Sequence, residues 1–262
     1  MLASSSFLAT DGGGYQRQMG RWSRRLAPLL KGFAGIGGAV RVLDVGCGTG
    51  NLSFCLAQDL ELVSAIGVDL SPAYIEHAIR RNGDKRLDFQ VRDACALPFP
   101  DASFDHAISM LALQFVPRVD LAVGEMRRVT RPGGTVAAAT WDTRGGLVAL
   151  RMIFDAAAML DQSGREARAA AYTRPMSRPG DLGRVWHGAG LSDVVQDMGT
   201  IRMDFSSFAD FWTPMEGKEG PARSTWAPSA RTQKRGFATW SGWRIWMGRA
   251  MGHGPTRPLP GS

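Results

Sequence analysis

A short apolar segment that runs directly into a glycine-rich turn constrains the fold of this 262-residue chain most. Residues 40–45 form an apolar run that predicts a strand, and the turn GCGTG at residues 46–50 follows at once. Glycines at such a turn let the backbone approach a ligand closely. Because residues 51–58 are predicted as a helix, the segment indicates a strand, a ligand-binding turn and a helix in succession.

The same alternation of strands and helices continues through the next hundred residues. The further predicted strands are residues 62–68, 87–91, 104–110 and 135–141. Ser71-Pro72 predicts a helix start, since serine caps the first turn and proline suits the first helical position. This order predicts an α/β fold with a doubly wound, mostly parallel sheet of the Rossmann-like, seven-stranded type. The sequence leaves open whether a last antiparallel strand completes it.

Three regions are predicted along the chain. Residues 1–38 form an N-terminal helical cap, and residues 39–216 form the main domain. Within that domain, residues 145–190 are predicted as a lid or helical insertion, with a loop or lid at residues 161–180. Residues 217–262 form an atypical basic tail rich in tryptophan, arginine and glycine, which is predicted as possibly disordered.

Three acidic residues stand at or beside the ends of the first three strands. Asp44 precedes the glycine turn, where its charge would repel a pyrophosphate and suit a ligand with an amine or a cation. Asp69 ends the second strand and can accept hydrogen bonds from both hydroxyls of a ribose. Asp93 follows the third strand and can accept from an adenine amino group, beside the backbone of Ala94. The structural alternatives are a helix-terminal charge for Asp69 and an Asx-turn for Asp93.

These motifs together resemble the class I S-adenosylmethionine-dependent methyltransferases. The nearest match is the broad methyltransferase type 11 group, which includes the quinone-biosynthesis C-methyltransferases. The segments that carry the resemblance are residues 19–27 (MGRWSRRLA), 42–50 (VLDVGCGTG), 67–71 (GVDLS), 92–99 (RDACALPF), 104–105 (FD) and 125–134 (EMRRVTRPGG). The resemblance implies S-adenosylmethionine as cofactor and methyl transfer to a small organic acceptor by in-line displacement.

The resemblance also implies roles for individual residues. The glycine turn would border the methionine moiety, the second strand end the ribose and adenine, and the fourth strand end the transferable methyl, while the N-terminal helix would cap the cofactor. The predicted cofactor-binding residues are Tyr15, Arg21, Asp44, Gly46, Cys47, Gly48, Gly50, Asp69, Leu70, Asp93, Ala94, Met110 and Leu111. The predicted substrate-side residues, at or just past strand ends, are Gln114, Phe115 and Trp141.

The sequence indicates no catalytic base and no metal site. The four histidines lie in a predicted helix, a strand, a short helix and the tail, and none follows a strand end. Cys47, Cys55 and Cys95 match no common zinc spacing and are interpreted as small apolar side chains. Methyl transfer needs a base only where the nucleophile must lose a proton, so the catalytic residues are left undefined.

The net charge of +7 comes entirely from the end of the chain. Residues 1–216 hold 23 basic and 23 acidic side chains, whereas residues 217–262 hold eight basic side chains and one acid. A basic surface spread over the main domain is therefore excluded. The tail contains only two branched aliphatic residues after position 220, Ile245 and Leu259, so it has little with which to build a core of its own.

Three interpretations of the tail are open. It can be a divergent end in which residues 237–247 still supply the last strand, or a disordered basic segment that contacts RNA or an acidic membrane. It can also be a translated frameshift, which its arginine, glycine, tryptophan, proline and alanine content favours.

Other functional classes fit less well. An RNA methyltransferase that uses the tail is one alternative, although the neutral main domain argues against nucleic acid as a partner, and a non-catalytic or truncated cofactor-binding protein is another. A dehydrogenase is disfavoured by the spacing of the glycine turn and by Asp44. The sequence has no run of 18 apolar residues, so no membrane span is expected. Residues 1–10 lack the basic start of a signal peptide. Three cysteines cannot all pair with one another, which favours a reducing, cytoplasmic location. The oligomeric state is left undefined.

Overall fold

A seven-stranded sheet forms the centre of the protein. The computed structural model describes residues 10–216 and 243–251. The strands are β1 Arg41–Val45, β2 Ser64–Asp69, β3 Leu87–Val91, β4 Phe104–Met110, β5 Thr130–Trp141, β6 Ser192–Ile201 and β7 Trp243–Met251. Their order is β3-β2-β1-β4-β5-β7-β6, with β1 to β5 parallel and β7 antiparallel to both neighbours. The predicted α/β, doubly wound fold class is confirmed.

Helices cover the sheet. They are α1 Gly12–Tyr15, α2 Arg21–Phe33, α3 Asn51–Leu56, α4 Pro72–Arg81, α5 Val119–Val129, α6 Val148–Leu160, α7 Gln162–Tyr172, α8 Asp181–Gly188 and α9 Phe208–Trp212. The predicted cap of α4 is present, because the Ser71 hydroxyl accepts a hydrogen bond from the Tyr74 amide. Such a cap satisfies one of the free amides at a helix start.

Two apolar layers, one on each face of the sheet, hold these elements together. Val42 and Leu43 are adjacent in β1, are both fully buried, and belong to different core clusters. This follows from the strand geometry, in which successive side chains point to opposite faces. Helix α2 adds Trp22, Leu26 and Leu30 at four-residue spacing to the first cluster.

The tail supplies a central strand of the sheet. Strand β7 lies between β5 and β6, so Trp243–Met251 hydrogen-bond to neighbours on both sides. The last strand, which the sequence left in doubt, is present. The divergent-end interpretation expected it within residues 237–247, and it begins and ends several residues later, at Trp243–Met251. The interpretation of the tail as disordered is therefore wrong for this segment, and the paired register of the strand runs against the favoured frameshift interpretation. The rest of the tail and residues 1–9 lie outside the described residues.

The predicted insertion is more helical than expected. Residues 161–180 were expected to form a loop or lid, but residues 162–172 form α7, which packs against α6. Gly164 permits this contact, because a Cβ at that position would lie 2.1 Å from the Ala157 carbonyl oxygen. A loop remains only from Thr173 to the start of α8.

Residues 12–33 of the predicted N-terminal cap are helical in the described part of the chain. Between α1 and α2, Gln16–Gly20 form one wide π-helical turn, a feature often found at functional sites. Among the described residues, none of the helices combines the length and the apolar character needed to cross a bilayer.

Candidate functional site

A cavity of about 290 Å³ opens at the carboxyl-terminal edge of the parallel strands. It lies where β1 and β4 are neighbours although they are not consecutive in the chain. The strand order reverses at this point, and open α/β sheets bind ligands in the crevice that results. The loops that follow β1, β2, β3 and β4 all contribute to its lining.

The glycine turn after β1 forms the floor of the cavity. Gly46 and Gly48 line it and have φ angles of 71° and 55°, a backbone conformation that favours glycine. A Cβ on Gly46 would lie 2.2 Å from the Ala112 Cβ. The Gly46 and Cys47 amides both donate to the Val68 carbonyl, at 2.8 and 3.0 Å, which ties the turn to β2. The turn is thus shaped by backbone constraints that exclude side chains.

Asp69 lines the cavity from the end of β2. Its Oδ2 accepts from the Gly48 amide at 2.9 Å, and its Oδ1 accepts from the Ser71 amide at 2.9 Å. These bonds fix the carboxylate between the glycine turn and the start of α4. Burial raises the pKa of Asp69, while the backbone amides oppose that rise. A carboxylate held in this way can accept further hydrogen bonds from ligand hydroxyls.

Asp93 lines the cavity beyond β3, together with Ala94. Its Oδ1 accepts from the Cys95 amide at 2.9 Å, so the Asx-turn considered from the sequence is present. The turn occupies one carboxylate oxygen in a backbone contact. It does not remove Asp93 from the cavity, so the structural and the ligand-binding roles are compatible.

Asp44 lies beside the glycine turn and is fully buried. Its Oδ2 accepts from the Ser53 hydroxyl at 2.7 Å, but its Oδ1 has no partner among the described residues. Burial, which the Ser53 bond only partly opposes, raises the pKa of Asp44 to about 7. The charge of Asp44 also contributes to the raised pKa values of Tyr15 and Cys47. Asp44 therefore acts electrostatically on Tyr15, which lines the cavity. A buried acceptor without a donor is unusual and indicates a missing partner.

Tyr15 brings the N-terminal cap to the cavity. Its ring lies 5.1 Å from the ring of Tyr74, and both line the cavity. Its hydroxyl is 3.2 Å from the Ser23 hydroxyl. The next residue, Gln16, donates to Thr49 and Asn51, which belong to the glycine turn and to α3. The cap is therefore bonded to the same segment that forms the cavity floor.

The opposite part of the cavity is apolar. It is lined by Met110, Leu111, Ala112, Phe115 and Val116, which follow β4. Leu111 has a φ of 64°, and its amide donates to the Ala139 carbonyl at 2.8 Å. A non-glycine residue in this conformation is strained, and such strain concentrates at functional sites. The cavity thus has an acidic part and an apolar part.

The structure brings most of the predicted residues together. Those that line the cavity are Tyr15, Gly46, Gly48, Asp69, Leu70, Asp93, Ala94, Met110, Leu111 and Phe115. Asp44 lies behind this lining.

Five predicted residues besides Asp44 lie outside the cavity lining. Arg21 pairs with Asp210 at 2.8 Å and stacks on an aromatic ring, so it does not cap the cavity. Gln114 is buried and accepts from the Trp141 amide at 2.9 Å, so these two residues fasten the loop after β4 to the end of β5. Cys47 and Gly50 belong to the turn but are not part of the cavity lining. Each of these placements depends on tertiary contacts that strand-end spacing does not encode.

Sequence reasoning missed several lining residues, namely Val68, Ser71, Pro72, Tyr74, Arg92, Ala112 and Val116. Most are direct neighbours of predicted residues at strand ends, so extending each motif by two or three positions finds them. Tyr74 follows from the predicted start of α4, since it lies three residues after the N-cap.

The cavity contains no histidine among the described residues. His106 is the third residue of β4 and so lies away from the carboxyl end of that strand, and burial lowers its pKa. His77 and His187 lie on α4 and α8, and His253 lies outside the described residues. Burial raises the pKa of the Cys47 thiol well above its usual value, which disfavours a thiolate nucleophile. Over residues 10–216 and 243–251, no cluster of three or more potential metal ligands is present.

Residues 43–138 match the family model described as "Methyltransferase domain". This segment is similar to methyltransferase domains. It contains the glycine turn, Asp69, Asp93 and the loop after β4, so the family match and the cavity involve the same part of the chain. The resemblance to S-adenosylmethionine-dependent methyltransferases, predicted from the sequence, is confirmed for this domain.

Two curated proteins illustrate the similarity of this chain to known proteins. An uncharacterized protein of Mycobacterium tuberculosis is 40% identical over 122 residues, which are 46% of this chain and 44% of that protein. The malonyl-[acyl-carrier protein] O-methyltransferase of Erwinia pyrifoliae is 42% identical over 124 residues, which are 47% of this chain and 45% of the enzyme. The similarity thus spans less than half the length of these curated relatives.

The fold likeness extends further than the sequence similarity. Phosphoethanolamine N-methyltransferase 2 of Haemonchus contortus, solved with phosphomonomethylethanolamine and S-adenosylhomocysteine, has a TM-score of 0.60 and 16% identity. The likeness covers 93% of this chain and 57% of that one. At this identity it shows a common fold, which agrees with the seven-stranded sheet described above.

Proposed function

We propose that the protein is an S-adenosylmethionine-dependent methyltransferase that methylates a small organic acceptor. The observation that carries the proposal is the arrangement of Asp69 and Asp93 around a cavity floored by the glycine turn, with a buried, half-partnered carboxyl at Asp44 beside it. The family match of residues 43–138 supports the same cofactor.

The residues present fit S-adenosylmethionine part by part. Asp69 would accept from the ribose hydroxyls, and Asp93 would accept from the adenine amino group. The free Oδ1 of Asp44 suits the ammonium of the methionine moiety, because an ionised carboxyl there would gain the partner that it lacks. The backbone of Gly46 and Gly48 leaves room for the part of the cofactor that lies between its ribose and its ammonium group.

When bound, the cofactor supplies an electrophilic methyl group on a cationic sulfonium. The protein's contribution is to hold and orient the acceptor in line with that methyl, which is worth up to about 7–11 kcal/mol in well-aligned systems. The apolar wall formed by Met110, Leu111 and Phe115 excludes water from the reacting centre. No residue of the described cavity is assigned as a base, so an acceptor that is already nucleophilic fits best.

An organic acceptor of low molecular weight is favoured over nucleic acid. The cavity of about 290 Å³ has the size of a small-molecule site, and the similar Erwinia enzyme is named for malonyl-[acyl-carrier protein], not for a nucleic acid. The described part of the basic tail is used within the fold: Arg249 donates to the Phe33 carbonyl at 2.8 Å and stacks on the Phe33 ring. A positive side chain held in this way is not a free phosphate contact.

Titration with S-adenosylhomocysteine by calorimetry tests the proposal. We expect binding by the full chain and at least about tenfold weaker binding by Asp69→Asn, because a buried hydrogen-bond acceptor to the ribose would be lost. Asp88→Asn is the matched control, since Asp88 is exposed on β3 and outside the cavity lining. Transfer of labelled methyl to a metabolite extract then tests turnover.

A folded chain that does not bind S-adenosylhomocysteine would overturn the proposed function. Equal affinities for Asp69→Asn and Asp88→Asn would overturn the ribose role alone. Binding without methyl transfer to any extract fraction would instead favour a non-catalytic cofactor-binding protein.

A further inference from the structure

Arg174 is a charged residue beside the apolar part of the cavity. It lies in the loop after α7, and its guanidinium carbon is 4.9 Å from the centroid of the Phe115 ring. Phe115 itself lines the cavity. A guanidinium stacked on an aromatic face keeps its donors at the edge of its plane, free to bind other groups.

No acid of the described residues neutralises this arginine. The other arginines of the same insertion include Arg168, which pairs with Asp155, and Arg184, which pairs with Asp181. The described ion pairs and side-chain hydrogen bonds do not include the Arg174 guanidinium. Burial alone lowers its pKa, with no opposing acidic neighbour. A desolvated cation without a counter-ion is costly, so the fold retains an unfavourable charge here.

The loop holds Arg174 in a fixed position. Two residues further along, Met176 is buried with a φ of 60°, and Ser177 is fully buried. The Ser177 hydroxyl donates to the Arg174 carbonyl at 2.7 Å. A left-handed conformation at a non-glycine residue persists only where the surroundings enforce it. The arginine is therefore presented by a packed loop and is not a freely moving surface side chain.

We propose that Arg174 binds an anionic oxygen group of the methyl acceptor, a carboxylate or a phosphate, beside Phe115. The inference rests on the proposed function, because it takes the apolar part of the cavity as the acceptor's place. Bidentate pairing of a guanidinium with a carboxylate or phosphate would supply the missing counter-charge. It would also fix the acceptor at one end while its nucleophilic atom faces the methyl group.

Arg174 is not itself part of the cavity lining and reaches it through Phe115, whereas the arginine that lines the cavity is less suited to this role. Arg92 lines the cavity next to Asp93, on the side assigned to adenine. It is exposed and donates to the Val91 carbonyl at 3.0 Å. A competing anion for Arg174 is the carboxylate of the cofactor's own methionine moiety, and the experiment below distinguishes the two.

The test measures anion binding by the full chain saturated with S-adenosylhomocysteine. The probes are octanoate, octyl phosphate and the neutral octanamide, titrated by calorimetry. The variants are Arg174→Gln, which removes the charge, and Arg174→Lys, which keeps it. Arg178→Gln is the matched control, because Arg178 lies in the same loop, is exposed, and its removal changes the net charge equally.

We expect at least one of the two anions to bind more tightly than octanamide. We expect Arg174→Gln to weaken anion binding at least about tenfold, the size of a lost charged hydrogen bond, and to leave octanamide within about twofold. Arg174→Lys should retain part of the preference, and Arg178→Gln should retain all of it. Affinity for S-adenosylhomocysteine should stay within about twofold in every variant, which also shows that each one folds.

Three results would overturn the role of Arg174. The first is equal binding of the anions and the amide by the unchanged protein. The second is an anion preference that survives Arg174→Gln. The third is a loss of S-adenosylhomocysteine affinity in Arg174→Gln, which would assign the arginine to the cofactor. Failure of the unchanged protein to bind S-adenosylhomocysteine would overturn the proposed function first, so the two failures are distinguishable.

Discussion

At the scale of a single residue, the burial that leaves the Asp44 carboxyl available to a ligand also lowers the stability of the fold when that carboxyl ionises. Its pKa of about 7 lies far above the usual value of 3.8. Between these values the unfolded chain loses the proton while the folded protein keeps it. Stability associated with this group is therefore greatest below about pH 4, decreases as the pH rises, and is fully lost above pH 7.

Asp44→Asn removes this pH dependence. We expect the free energy of unfolding of the variant, relative to the unchanged protein, to rise by about 2 kcal/mol between pH 5 and pH 8. Urea unfolding at several pH values measures it. The exposed Asp88→Asn should show a difference that does not vary with pH. A flat profile for Asp44→Asn as well would mean that the carboxyl is already ionised in the folded protein.

Single residues at strand ends were predictable, whereas residues placed by tertiary packing were not. Asp69 and Asp93 follow from strand spacing alone, because the carboxyl ends of parallel strands meet at one edge. Arg174 follows α7, and its approach to Phe115 depends on how the helical insertion folds back. The same limit explains Arg21, whose partner Asp210 lies 189 residues away.

At the scale of elements, helix α5 fastens the loop between β3 and β4. The Arg128 guanidinium donates to the carbonyls of Leu97 and Phe99, at 2.9 and 2.7 Å, and pairs with Glu125 and Asp101. Glu125 in turn accepts from the Leu97 amide at 2.8 Å. These contacts join the sequence segments 92–99 and 125–134 in the fold.

Arg128→Met should therefore destabilise the protein more than the adjacent Arg127→Met. We expect a loss of about 2 kcal/mol at position 128, since several charged hydrogen bonds to carbonyls are removed from a partly exposed site. Arg127 is exposed and should cost less than about 0.5 kcal/mol. Urea unfolding of both variants measures the difference, and equal losses would show that the contacts around Arg128 add no net stability.

The bounds of some elements were predictable from the sequence. Strands β3 and β4 have the bounds that the sequence predicts. Helix α7 was missed, since the sequence predicted a loop or lid over residues 161–180. Its contact with α6 depends on Gly164, because the α6 backbone lies too close for any side chain, and the Asp161 carboxylate caps the helix by accepting from the Gly164 amide.

At the scale of the whole molecule, the tail was the least predictable region. Its two branched aliphatic residues after position 220, Ile245 and Leu259, gave it little with which to build a core, so a strand was only one of three interpretations. Strand β7 has neighbours on both sides, and its residues 245–249 pair with β5 and with β6. Met247 and Ala250 are buried, which gives the strand two apolar contacts with the layers of the sheet.

Met247 offers a direct test of this placement. It pairs with Ala139 of β5 and Asp197 of β6 and is nearly fully buried. Met247→Pro would remove an amide from the middle of a central strand, so we expect a loss of about 3 kcal/mol or more. Met247→Leu keeps the volume and should cost less than about 1.5 kcal/mol. If urea unfolding gave the two variants equal stabilities, residues 243–251 would not be part of the sheet, and the main domain would fold without its seventh strand.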